Sequence, residues 1–304
     1  MLCLPLPNGQ TQLMMNDNAK GALLMVASMA AFTFNDAFMK LLSSEWPFFQ
    51  ALFIRSLAAA AILGAIAYWR GFGWRSFNGA DWKLITLRTL SEVAAAYFFI
   101  SALFHMPIAN ITAIIQALPL TVTLAGAVFL KEPIGWRRMI AIAIGAVGML
   151  LIVRPGTGSF DAYSIYGVLA VVFVTARDLI ARRIAVKVPT MTVAFLTAFA
   201  IALFGGLGSL TIDWSPVTVR GVGLCLAAAV FVVGGYVFSM QVMRQGDIAF
   251  IAPFRYTSLL WALLLGWFLF GDWPDFYTQL GAVIIIATGL FSFWREQLAM
   301  KAAR

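Results

Sequence analysis

The sequence predicts an all-α integral membrane protein of ten transmembrane helices, arranged as two inverted five-helix repeats. Three observations carry this expectation: apolar stretches of spanning length, bases gathered on alternate sides of them, and residue pairs that recur at a near-constant offset. Of 304 residues, 62% are hydrophobic and 11% charged, whereas an average soluble domain has about 25% charged residues. Such a chain cannot cover itself with a polar surface. Residues 21–42 and 48–69 each reach the ~20 needed to cross ~30 Å of hydrocarbon. The full set of expected spans is 21–42, 48–69, 82–104, 108–130, 136–153, 163–184, 190–211, 219–240, 248–270 and 276–294. Between them lie breaks of turn chemistry at Glu45-Trp46-Pro47, Lys131-Glu132-Pro133, Arg154-Pro155-Gly156, Val188-Pro189 and Asp272-Trp273-Pro274. Proline suits such places because it has no backbone N–H to continue a helix.

The net charge of +8 belongs to the ends of the apolar spans and not to a basic face, so nucleic acid is not an expected partner. Fourteen of the 21 Lys and Arg fall in the tails and every second loop, and only Arg154 and Arg220 fall on the other side. The positive-inside rule then places both termini in the cytoplasm of a bacterial inner-membrane protein. The chain begins without a signal-peptide pattern, and residues 1–20 read as a poorly structured cytoplasmic tail, matched by a second tail at 295–304.

Internal similarity divides what lies between. Ile108-Ala109 recurs as Ile248-Ala249, and at the same offset Glu132 matches Asp272 and Ala141 matches Gly281. Asn35-Asp36-x-x-x-Lys40 recurs two residues further on as Arg177-Asp178-x-x-x-Arg182. Two repeats follow, 21–153 and 163–294. With five spans each, the second must enter the membrane from the opposite side.

These features resemble the drug/metabolite transporter superfamily, EamA-type. The resemblance rests on Asn35-Asp36, Phe53-Ile54-Arg55, Phe129-Leu130-Lys131-Glu132-Pro133 with Trp136 and Gly145 to Gly148, and Phe270-Gly271-Asp272-Trp273-Pro274 with Gly281. Ala252-Pro253-Phe254-Arg255-Tyr256 resembles a subgroup that includes riboflavin and S-adenosylmethionine uptake proteins. The resemblance implies a secondary transporter of a small metabolite working by alternating access.

Ionisable groups inside spans are the sharpest local signal, because each costs about 2.5–3.5 kcal/mol at a helix centre on insertion scales. They are Asp36, Lys40, Arg55, Arg88, Glu92, Arg177, Asp178 and Arg255. Lys40 is expected to snorkel to the near interface. Arg88 and Glu92, one turn apart, form an expected ion pair, and Asp36 and Asp178 are expected in structural pairs. Arg55 and Arg255 have no acid at i±3 or i±4. Each is read either as an interhelical ion pair or as a group that holds substrate. With them, Glu92, Tyr97, Gln116 and Tyr256 complete the candidate substrate-binding set, Asn110 and Gln116 being uncharged hydrogen-bonders of the fourth span. Trp46, Trp69, Trp74, Trp136 and Trp273 read as interfacial belt, and Ala141 with Gly145 as a close-packing pair.

Other classes lack support. His105 is the one histidine and Cys3 and Cys225 lie far apart, so no metal centre, disulfide, triad or cofactor is expected, and the chain is not read as an enzyme. The expected partners are a small-molecule substrate and the lipid bilayer, with a homodimer left open. A non-transporting membrane scaffold is the alternative class. Among substrates, an interior with more bases than acids points to neutral riboflavin over the cationic S-adenosylmethionine, with export of amino-acid metabolites as a further alternative.

Overall fold

The computed structural model describes residues 8–69, 78–131, 135–155, 161–184, 188–242 and 248–302. Cys3, Trp74, Glu132, Pro133 and Gly156, named above, lie outside them, as do Arg70, Arg75, Lys187 and Arg244, which belong to the fourteen bases of the tails and alternate loops. Ten helices among the described residues are long and apolar enough to cross a membrane: Asp17–Leu42, Phe48–Trp69, Gly79–His105, Ile108–Leu130, Trp136–Val153, Tyr163–Ala181, Thr190–Ser209, Val219–Val242, Ala252–Phe270 and Phe276–Arg295. All agree with the sequence expectation to within a few residues. The expectation of a poorly structured tail at 1–20 does not hold for its described part, since the first helix begins at Asn8. The last helix runs on to Ala302, into the tail at 295–304.

Two spans are interrupted. The fourth consists of Ile108–Ile115 and Leu118–Leu130, because Pro119 has no N–H to reach the Ile115 carbonyl. The ninth passes from a short α-turn into a 3₁₀ segment, Ala252–Tyr256, before the α-helix Thr257–Leu265. Pro253 explains that change in the same way.

The main packing partners are spans one with eight, three with six, two with seven and five with ten, with four against nine near the centre. Exchanging each span for the one five places away turns this set of pairs into itself. Each principal pair therefore joins one half of the chain to the other.

The tightest crossing is between the fifth and tenth spans. A Cβ on Gly148 would lie 2.9 Å from the Gly281 carbonyl oxygen, and one on Gly281 would lie 2.5 Å from the Gly148 oxygen. Backbones can approach this closely only where side chains are absent. At the membrane edge Arg154 pairs with Asp275 and lies over the Tyr277 ring. Partial burial raises the Asp275 pKa, but hydrogen bonds from Arg154 and Thr278 outweigh it and hold the carboxyl below its ordinary value.

Several large apolar side chains face outward, including Tyr68, Phe129, Leu207 and Phe268, as a lipid-facing surface requires. Trp69, Trp136 and Trp273 are exposed as belt residues should be, but Trp46 is 2% exposed. Its indole packs over Gly221 of the eighth span, where a Cβ would collide with the ring. Lys40 also departs from expectation. Its ammonium turns inward and donates to the carbonyl oxygens of Met106 at 2.7 Å and Leu103 at 3.3 Å. These free acceptors at the C-terminal end of the third span attract a cation more strongly than the distant headgroups.

Candidate functional site

The interior charges fall into one network and several unpaired groups. Glu92, at the middle of the third span, accepts from Arg177 Nη1 of the sixth span at both carboxylate oxygens, each at 3.0 Å. Arg88 lies 3.8 Å from the same carboxylate and donates to Thr197 Oγ1 at 2.8 Å. Tyr236 of the eighth span adds a long hydrogen bond to Glu92 Oε1 at 3.5 Å. Arg177 also pairs with its neighbour Asp178 at 2.8 Å. One carboxylate is thus held by residues from both halves of the chain, and its acceptor sites are filled by donors of the third, sixth and eighth spans.

The expected Arg88–Glu92 pair is present, but it is the weaker partner. The principal partner, Arg177, comes from a different helix. Asp178 is ion-paired, though with its own neighbour Arg177 and not across helices. Asp36 is not ion-paired: its Oδ1 accepts from the Asn35 amide at 2.9 Å, and no cation stands within 4 Å among the described residues. The two repeats use one arrangement here, since Arg177 Nε donates to Asp178 Oδ1 at the same 2.9 Å. Asn35 occupies the place of Arg177, so the first half carries a neutral donor where the second has a charged one.

Arg55 and Arg255 make no ion pair or side-chain hydrogen bond among the described residues. Arg55 is 7% exposed, and its Nε is buried without a partner. Arg55 lines a small, partly open cavity of about 20 Å³ with Ser56, Ala198, Ile201, Val232 and Tyr236. Tyr236 joins this cavity to the Glu92 network. Arg255 lies on the 3₁₀ segment of the ninth span.

Gln116 and Tyr256 stand at the interruptions of the fourth and ninth spans, at the repeat offset already seen for Ile108 and Ile248. Both are 6% exposed. Gln116 Nε2 and the Tyr256 hydroxyl are buried without partners, the Tyr256 phenol resting against Gly289 of the tenth span. Asn110 Oδ1 is likewise unpartnered. Unsatisfied buried polar atoms are uncommon in proteins and costly, so their concentration beside two broken helices marks a polar interior. Tyr97 belongs to a separate aromatic cluster. It meets Phe48 edge-on at 5.6 Å, Phe98 at 5.2 Å and Phe204 at 5.9 Å, with Tyr166 at 6.3 Å.

The structure therefore groups Arg55 with Glu92 through Tyr236, and Gln116, Arg255 and Tyr256 along the two broken spans, leaving Tyr97 apart. Sequence reasoning missed Ser56, Thr197 and Tyr236, whose types are too common in membrane helices to stand out. It counted Arg177 among the interior charges without assigning it a partner on another helix, and only the packing of the third span on the sixth reveals its role. Among the described residues no group of His, Cys, Asp and Glu is arranged to hold a metal ion.

The family described as EamA-like transporter matches residues 19–154 and again 162–294. An S-adenosylmethionine uptake transporter of Rickettsia felis is 25% identical, over 94% of this chain and 98% of that protein. A pseudopaline exporter of Pseudomonas aeruginosa is 27% identical, over 86% of this chain and 93% of its own. A solved crystal structure superposes with a TM-score of 0.65 at 17% identity, covering 92% of this chain and 99% of the other, which is a likeness of fold.

Proposed function

This chain belongs to the EamA-like transporter family, and from that premise we propose that it takes up S-adenosylmethionine across the bacterial inner membrane by alternating access. The carrying observation is the match to the Rickettsia uptake transporter along nearly the whole of both chains. None of the relatives named above is a riboflavin carrier, and the preference for riboflavin is withdrawn. Its premise was a count of interior charges. Arg88 and Arg177 are balanced by Glu92 and Asp178 together, so the positive excess lies on Lys40, Arg55 and Arg255, where the carboxylate of S-adenosylmethionine offsets it. The clustered faces of Tyr97, Phe98 and Tyr166 suit an adenine ring or a sulfonium.

The two matched segments act as inverted halves in this reading, hinged across the Glu92–Arg177 contact, with both termini cytoplasmic. Alkaline-phosphatase fusions after Trp46, Asp161 or Asp272 are expected to be active, and fusions after Arg75, Lys187 or Arg244 inactive. Activity in the second set would reverse the orientation.

The uptake reading is tested in a bacterial host unable to make S-adenosylmethionine and supplied with it externally. Growth is expected only with the chain expressed. Confirmed membrane expression without growth would remove uptake of this metabolite, and outward transport of it from preloaded vesicles would turn the reading toward export.

A further inference from the structure

We propose that Arg55 and Ser56 form an anchoring subsite for a carboxylate of the transported metabolite, which makes the substrate class carboxylate-bearing and of amino-acid type. This rests on the transporter reading and deepens it. Three observations converge. Arg55 sits a third of the way along the second span with no carboxylate within 4 Å among the described residues, although Asp36 is close enough to act on it electrostatically. Its buried Nε and the adjacent buried Ser56 Oγ both lack partners. Both side chains line the same small, partly open cavity, which has room for one group of about water size.

A guanidinium left unpaired at this depth costs far more than a paired one. For Arg88 and Arg177 the cost is met by Glu92, and Arg177 also has Asp178; Arg255, on the 3₁₀ segment, shares with Arg55 the lack of an ion pair among the described residues. Arg55 differs in having a cavity in place of a partner. The missing partner must accept hydrogen bonds, carry about one negative charge and enter a small space. A carboxylate oxygen meets all three conditions, accepting from the guanidinium with the Ser56 hydroxyl as a second donor. A phosphate is larger and more highly charged than one arginine and one hydroxyl can satisfy. The neighbouring acid, Asp36, which among the described residues is engaged by Asn35 and by no cation, complements the ammonium that accompanies the carboxylate in an α-amino acid. Tyr236 lines the cavity and also touches Glu92, so filling the subsite is communicated to the contact that joins the halves.

The test uses proteoliposomes of the purified full chain, offered a panel of S-adenosylmethionine, decarboxylated S-adenosylmethionine, methionine, methioninamide and riboflavin, with internalised compounds measured by mass spectrometry. Every compound accumulated is expected to carry a free carboxylate, and its counterpart without one to be excluded at least about tenfold. For an accumulated compound, Arg55→Lys and Ser56→Ala are each expected to raise KM with a maximal rate within about twofold of wild type, a split that a purely structural role would not give. If Arg55→Lys fails to elute as a monodisperse, helical protein, Ser56→Ala carries the comparison. Accumulation of methionine without S-adenosylmethionine would sink the S-adenosylmethionine reading and support the subsite. Equal accumulation of a compound and its carboxylate-free counterpart, accumulation of riboflavin, or wild-type KM in the folded variants would overturn the subsite. No accumulation of any compound would overturn both.

Discussion

Arg177→Ala is expected to destabilise the protein by about 3–5 kcal/mol, read as a large drop in the thermal midpoint in detergent and in the yield of folded protein. The side chain makes both close contacts to Glu92 and one to Asp178. Removing it leaves two carboxylates in the interior with Arg88 as a distant partner at 3.8 Å. Truncating one member of a buried pair leaves the other charged and unpaired, which costs more than the pair was worth. The double variant Glu92→Gln with Arg177→Gln should therefore be more stable than Arg177→Gln alone. A double-mutant cycle with no coupling would show that the two groups do not meet. Arg177→Ala with a wild-type midpoint would show that the joint between halves does not depend on this contact.

Gly281→Val is expected to give the second large loss. The added Cβ would lie 2.5 Å from the Gly148 carbonyl oxygen and 2.7 Å from the Ile152 side chain. The first obstacle is backbone and cannot turn aside. Overpacking of a tight site costs about 1–3 kcal/mol, and here the fifth and tenth spans would also have to separate. Gly223→Ala provides the control, because nothing lies within 4 Å of a Cβ at that position. It should leave the thermal midpoint unchanged or slightly raised, since alanine is the better helix former. Equal midpoints for Gly281→Val and Gly223→Ala would mean that the crossing is looser than described.

What the sequence reveals here is set by the range of each interaction. Helix existence and extent are written in local hydropathy, so the ten spans could be read directly. The breaks in the fourth and ninth spans follow from Pro119 and Pro253, which act on their own backbone. An i,i+4 contact such as Arg88–Glu92 is also local. Arg177–Glu92 is not: it joins residues 85 positions apart, and nothing in either helix states which neighbour it will face. The same limit explains Lys40 and Trp46. A lysine or tryptophan near the end of a span has the composition of an interface anchor. Its inward turn depends on carbonyls at Leu103 and Met106 or on the space above Gly221. The repeat offset carried further than the charges did. It places Gln116 opposite Tyr256 and Asn35-Asp36 opposite Arg177-Asp178, and the structure gives each pair matching local geometry. Which interior charge would be left free could not be read from a count, because Arg55 and Arg177 are the same residue type in similar apolar surroundings.

The central claim is that this chain carries S-adenosylmethionine by alternating access, and labelled counterflow into proteoliposomes of the purified protein tests it most directly. Vesicles preloaded with unlabelled S-adenosylmethionine should accumulate external labelled S-adenosylmethionine transiently and saturably, above both empty proteoliposomes and protein-free vesicles. Equal label in all three, with the protein shown to be folded and inserted, would contradict the account.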